Sequence, residues 1–125
     1  MEEDLNNLVK ISDILNESYI PYWIDDGTLL GIVRDEVLIQ SDGDLDLGIF
    51  SEKRHELKKA IPKIEGKGYK TKKRSYKDGR IISYSFRSRG KRPINIKIYR
   101  KEGRYAWYPT TSKKKYKETI NPLLK

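Results

Sequence analysis

The chain has 125 residues, a net charge of +9, equal hydrophobic and charged fractions of 36%, and no cysteine. That length gives one domain, 1–125, with an economical core, and the missing cysteine excludes disulfides, thiolate chemistry and Cys-ligated zinc or iron. No apolar run approaches the ~20 residues that span a bilayer and no secretory leader is visible; the absence of cysteine fits a cytoplasmic protein.

Charge is unevenly distributed along the chain. Residues 1–52 hold 13 acidic and 2 basic side chains, a net of −11, whereas residues 53–125 hold 5 acidic and 25 basic, a net of +20. An acidic half facing a basic half predicts a metal-carboxylate site opposed by a surface for polyanions. A Lys-rich solvated surface is the plainer alternative.

The spacing of Leu5, Leu8, Ile11, Ile14 and Leu15 predicts a helix over 2–17 with one apolar face. Glu2, Glu3 and Asp4 favour its N-terminus through the helix dipole. Tyr22-Trp23-Ile24 reads as a short strand entered from Pro21, and Asp25-Asp26-Gly27 as a turn. Thr28 to Val33 reads as a short helix, with residues 35–41 connecting. Asp44 to Phe50 is a strand, and Ser51 is the expected N-cap of a helix over 52–65. Leu57, Ile61 and Ile64 should face inward there, with Pro62 kinking or shortening the last turn.

Beyond Gly66 and Gly68 the pattern turns to β. Tyr69 to Ser75 and Arg80 to Arg87 flank the hairpin signal Asp78-Gly79. Pro93 to Tyr99 alternates Ile94, Ile96 and Ile98 with Asn95 and Lys97, which predicts a strand with one wet face. Gly103 marks a turn and Tyr105 to Tyr108 a return strand; 109–125 carries no clear pattern.

Two features carry chemistry. Gly27-Thr28 precedes a helix-like segment whose backbone N–H groups would face an anion, and the threonine hydroxyl can add a hydrogen bond; an ordinary helix cap is the plainer reading. In Asp42-Gly43-Asp44-Leu45-Asp46-Leu47, the period of two puts the three carboxylates on one strand face and the leucines on the other. Clustered carboxylates repel unless a cation sits among them, and magnesium (or manganese) gripping phosphate oxygens is the usual one. A calcium loop fits poorly, because no glycine stands at its sixth position and Lys53 stands at its twelfth.

This stretch resembles the nucleotidyltransferase fold, in which Gly-Ser or Gly-Thr precedes a strand bearing Asp-x-Asp. It is most similar to the LicD/fukutin-related branch, marked by G-T-L-L-G-x-x-R and a D-x-D-x-D strand. Here these read Gly27-Thr28-Leu29-Leu30-Gly31-Ile32-Val33-Arg34 and Asp42 through Asp46, about a quarter of the chain. The resemblance implies an α/β (α+β) minimal nucleotidyltransferase-like fold, a small mixed β-sheet flanked by helices. It also implies an enzyme that moves a phospho-alcohol from a CDP-linked donor to a glycan. Asp44 and Asp46 would be catalytic and hold the metal, while Gly27, Thr28, Arg34, Asp42 and Lys97 would bind substrate.

The chain departs from the family in three places. Asp26 stands where a second glycine is common, and Asp35 where a histidine often follows the arginine. Asn95 and Lys97 occupy the later strand that usually supplies a third Asp, and neither is a carboxylate base at neutral pH. Lys97 can instead pair with Asp44 and Asp46 or contact donor phosphates, and Asp42 can supply the missing carboxylate.

Two other readings stand beside this one. A transferase that leaves a nucleotide on protein, RNA or a small molecule, with an NTP donor, would share the metal site. A non-catalytic nucleic-acid-binding domain would use the tyrosines and Trp107 interleaved with Lys and Arg in the basic half; those aromatics equally suit strand cores. His55, the lone histidine, reads as a surface residue.

Overall fold

A computed structural model describes residues 2–25, 44–103, 105–109 and 115–119. The first helix, α1 (Glu2–Glu17), follows the three- and four-residue apolar spacing. Leu8, Ile11, Ile14 and Leu15 are buried on its inner face. It ends where Tyr19 adopts a left-handed φ of 58°, which lets the Ile20 N–H return to the Leu15 carbonyl at 2.9 Å. Tyr19 is thrown into solvent while Ile20 enters the core.

Among the described residues seven strands follow: β1 (Trp23–Ile24), β2 (Leu45–Phe50), β3 (Lys70–Ser75), β4 (Ile81–Arg87), β5 (Ile94–Glu102), β6 (Tyr105–Pro109) and β7 (Lys115–Thr119). The main sheet runs β1-β2-β5-β4-β3, and β6 and β7 extend from the far end of β5. The β2–β5 pair is parallel and every other pair antiparallel, so the sheet is mixed. The Asp78-Gly79 turn joins β3 to β4, with Gly79 at φ 83° and Asp78 Oδ1 accepting the Arg80 N–H at 2.9 Å.

The second helix, α2 (Arg54–Glu65), is entered through a 3-10 turn at Ser51–Lys53. The expectation that Ser51 caps this helix does not hold. Phe50, still extended, caps only the 3-10 turn, Lys53 is the N-cap of α2, and no side chain bonds at either cap. The chain turns straight out of β2, so Ser51 opens the 3-10 turn ahead of α2. Pro62 does not shorten α2 either, since the helix continues to Glu65. A proline so near the end removes one donor without disturbing turns beyond it.

The sheet has two different faces. On one, Leu45, Leu47 and Ile49 of β2, Ile94, Ile96 and Ile98 of β5, and Tyr84 and Phe86 of β4 pack under α1 and α2. This is the main core, and its strand residues are every second one, as the pleat requires. The opposite face carries the remaining residues of β2, β5, β4 and β3. Their register forms continuous rows: Asp46, Asn95, Ser85 and Lys72 in one, and Gly48, Lys97, Ser83 and Arg74 in the next.

At the end of that face nearer the C-termini of β2 and β5, Trp23, Phe50, Ile82, Tyr99 and Tyr108 form a second, aromatic cluster. Trp23 stacks obliquely on Phe50 and Tyr99 at 5.0 and 5.1 Å between ring centroids. It lies across Gly48, its partner in register. A Cβ at Gly48 would stand 2.4 Å from the indole, so only glycine lets the ring lie there.

Candidate active site

Asp44 lies at the entrance to β2 and Asp46 one pleat further on. Both are half-buried, and both carboxylates turn to the same neighbour. Asn95 Nδ2 donates to Asp44 Oδ2 at 2.8 Å and to Asp46 Oδ1 at 3.0 Å. Parallel pairing sets Asn95 directly opposite Asp46, so one amide holds two anionic groups together and partly offsets their repulsion.

Lys97 stands two residues further along β5, beside Gly48. Its Nζ lies 3.7 Å from Asp46 Oδ2 and 3.9 Å from Asp25 Oδ2, and 5.3 Å from the centre of the Tyr108 ring. Lys97 therefore contacts Asp46 of the acidic pair, one of the two roles the sequence left open for it.

Asp25 is the residue that sequence reasoning missed. The Asp25-Asp26-Gly27 segment reads as a turn, yet Asp25 continues the β1 pairing with its N–H on the Asp46 carbonyl at 2.9 Å. Its side chain is 3% exposed, accepts a hydrogen bond from the Tyr99 hydroxyl and pairs with Lys97. A buried carboxylate survives only with such partners. The available signal was its place directly after a strand and directly before Gly27-Thr28.

Gly27, Thr28, Arg34 and Asp42 lie outside the described residues, as do the predicted helix over Thr28 to Val33, Asp26 and Asp35. His55 is exposed on α2.

Asp44, Asn95 and Lys97 line one end of an open cleft of about 340 Å³ that runs across the polar sheet face. Ser83 and Ser85 give it a low floor, Tyr108 closes one side, and Lys72, Arg74 and Arg87 line the far end. Of the described aromatic side chains of the basic half, Tyr108 lines it. Tyr69, Tyr84 and Tyr99 are buried, and Tyr108 is 9% exposed.

Two hard carboxylate ligands side by side fit a magnesium or manganese ion, which commonly takes one or two carboxylates and completes its shell with water and substrate phosphates. Asn95 binds one oxygen of each side chain, and a carboxylate has capacity for a further ligand. Among the described residues no three His, Cys, Asp or Glu side chains gather as a ligand set, so the described donors are this pair alone.

A mixed sheet under two helices, bearing an Asp-Leu-Asp strand beside β5, is the architecture of nucleotidyltransferase domains. The chain belongs to the LicD/FKTN/FKRP nucleotidyltransferase domain family, whose sequence profile matches residues 19–125. An uncharacterized protein of Rickettsia prowazekii (strain Madrid E) is 44% identical over 57 residues, which cover 46% of this chain and 21% of that protein. Another, from Rickettsia typhi (strain ATCC VR-144 / Wilmington), is 40% identical over 60 residues, 48% of this chain and 19% of that protein. The matched region thus spans about a fifth of the length of these relatives.

Among solved structures, the fold is similar to that of the lincosamide antibiotic adenylyltransferase LnuA bound to lincomycin. The TM-score is 0.57 at 16% identity, over 91% of this chain and 68% of that one. It is also similar to ANT(2")-Ia in complex with adenylyl-2"-tobramycin, with a TM-score of 0.51 at 18% identity over 79% of this chain and 51% of that one. Both likenesses concern the fold. Among the described residues no helix is long and apolar enough to cross a membrane.

Proposed function

We propose that the domain is a magnesium- or manganese-dependent transferase that moves a phospho-alcohol from a CDP-linked donor to a hydroxyl of a glycan-type acceptor. The observation that carries this reading is the convergence of Asp44 and Asp46 on Asn95 Nδ2 at the edge of a cleft. A divalent cation held there would neutralise donor phosphate oxygens and orient the leaving nucleotide.

The protein's own groups do the positioning. Asp44 and Asp46 would hold the cation, and Asn95 fixes the direction of both carboxylates. Lys97 contacts Asp46 and Asp25 and adds positive charge near the donor. Gly27-Thr28 would cradle the donor phosphates, with Arg34 clamping them and Asp42 available as a further carboxylate. The acceptor oxygen then forms a bond to phosphorus as the bond to the nucleoside monophosphate breaks, and the hydroxyl proton leaves to solvent. Alignment of the reacting groups and stabilisation of the phosphate charge carry much of such a transfer. That makes a site with Asn95 and Lys97 in place of a third carboxylate chemically workable.

Transfer of a nucleotide from an NTP is the second reading, favoured by the fold shared with the adenylyltransferase LnuA and with ANT(2")-Ia, solved in complex with adenylyl-2"-tobramycin. Incubation with labelled CTP, ATP, GTP, UTP and CDP-choline separates the two. A product that keeps the choline and not the nucleoside supports the first, and a product that keeps the nucleoside supports the second. Activity undiminished in Asp44→Asn and Asp46→Asn would sink both.

A further inference from the structure

The two oxygens of Asp46 face different partners. Oδ1 accepts the Asn95 amide at 3.0 Å, and Asp44 Oδ2 accepts the same amide at 2.8 Å. Oδ2 faces Lys97 Nζ at 3.7 Å, and that ammonium also lies 3.9 Å from Asp25 Oδ2. Asp46 therefore borders two places for positive charge, one shared with Asp44 and one shared with Asp25. Transfer centres that use two divalent ions hold them about 3.5–4 Å apart, close enough for one carboxylate to serve both. Here the second place already carries a cation that belongs to the chain.

Lys97 is built into this position. Its side chain is 18% exposed, and the ammonium lies 5.3 Å from the centre of the Tyr108 ring. Asp25, which also accepts the Tyr99 hydroxyl, is 3% exposed and needs a charged partner to stay ionised there. Withdrawing the lysine to admit a metal ion would break that pair. Formal charge points the same way. Three carboxylates and one ammonium leave −2 among Asp25, Asp44, Asp46 and Lys97, which a single divalent ion cancels. A second ion would add like charge directly against the ammonium.

We propose that the site is a single-ion centre in which Lys97 permanently fills the place of a second divalent cation. The ion on Asp44 and Asp46 rests on the transferase reading above; the filled second place rests on the position of Lys97. Donor phosphate charge is then met by one metal ion and one ammonium. The ammonium is a compact three-donor group, so it orients phosphate oxygens by hydrogen bonds instead of coordinating them.

The test counts manganese on the full chain by electron paramagnetic resonance, without nucleotide. The parent should bind one ion with the spectrum of an isolated centre, and Asp46→Asn should lose it. Lys97→Asp, which puts a ligand where the ammonium stood, should bind two ions and give the exchange-coupled spectrum of close neighbours. Lys97→Asn makes the same exchange without a new negative charge, and decides the matter if Lys97→Asp does not fold. Lys58→Ala on exposed α2 should match the parent. Circular dichroism in manganese separates lost binding from lost folding. A coupled pair in the parent overturns the proposal, and so does a single isolated ion in the folded Lys97 variant. Two ions in the parent leave the metal-dependent transferase reading intact, whereas no bound manganese in the parent or the variants sinks that reading too.

Discussion

Lys97 reaches two carboxylates from different strands, with Nζ 3.7 Å from Asp46 Oδ2 and 3.9 Å from Asp25 Oδ2. Its ammonium thus sits against one member of the acidic pair and stands where it competes with any cation drawn to Asp46. At the same time it is a partner of Asp25, whose side chain is 3% exposed.

Replacing it should therefore have opposite effects on stability and on metal affinity. Lys97→Met removes a partner from the buried Asp25 and should destabilise the fold by about 1–3 kcal/mol. The same substitution should tighten manganese binding several-fold, read by calorimetric titration, because a competing charge is gone. Weaker manganese binding in a folded Lys97→Met chain would show that Lys97 supports the site rather than competing in it.

Asn95 makes a second, sharper case. Its amide donates to both Asp44 and Asp46, so Asn95→Asp exchanges a shared donor for a third negative charge at the same place. Without metal the like charges should lower the melting temperature. Added magnesium or manganese should raise it by more than in the parent chain, since metal stabilises by mass action and the variant gains a ligand. Asn95→Ala, which cannot ligate, should lose stability without that recovery and reduce transfer about 10–100-fold, the usual cost of losing a group that orients metal ligands. Equal metal-induced shifts in Asn95→Asp and the parent would place the cation elsewhere.

The elements whose signal is local were legible in the sequence. Helix α1 shows its face at three- and four-residue steps, and β2 and β5 show theirs by alternation, because each buries one side on the same core. The acidic pair was visible for the same reason: Leu45 between the aspartates and Leu47 after them fix which way both point. Asp25 was not visible, because Asp-Asp-Gly is a local turn signal. What overrides it is tertiary: β1 pairs with β2, and Tyr99 and Lys97 arrive from β5. The cleft was illegible too, since Lys72 and Arg74 look like any lysine-rich strand until β4 and β5 set them in rows with Asn95 and Lys97. Ser51 failed as a cap because a 3-10 turn over Ser51–Lys53 intervenes and leaves Lys53 at the cap position of α2.

Gly48 tests how β1 is held beside the acidic strand. A Cβ there would lie 2.4 Å from the Trp23 ring, so Gly48→Ala should displace the indole and destabilise the fold by about 1–3 kcal/mol, as overpacking does. Trp23 then shifts, and with it Asp25, two residues on. Chemical denaturation and the tryptophan emission maximum report both effects. Trp23→Leu should absorb part of the cost of Gly48→Ala, a non-additivity expected of residues in contact. Purely additive losses would mean that the ring and the glycine do not determine each other.

The last prediction concerns alkaline pH and lies away from the site. The Tyr69 hydroxyl, on a side chain just ahead of β3, donates to Asn7 Oδ1 of α1 at 2.7 Å. Burial, with a smaller push from the Glu3 charge, raises its pKa above the ordinary 10.0. The folded chain therefore holds this proton more tightly than the unfolded chain does. The resulting stability is fully present below pH 10 and is lost as the pH rises through the folded value. Denaturation midpoints should fall more steeply above pH 10 in the parent than in Tyr69→Phe. At neutral pH Tyr69→Phe should instead cost about 1 kcal/mol for the lost hydrogen bond. Parallel alkaline slopes in the two chains would show that α1 is not tied to the sheet by this proton.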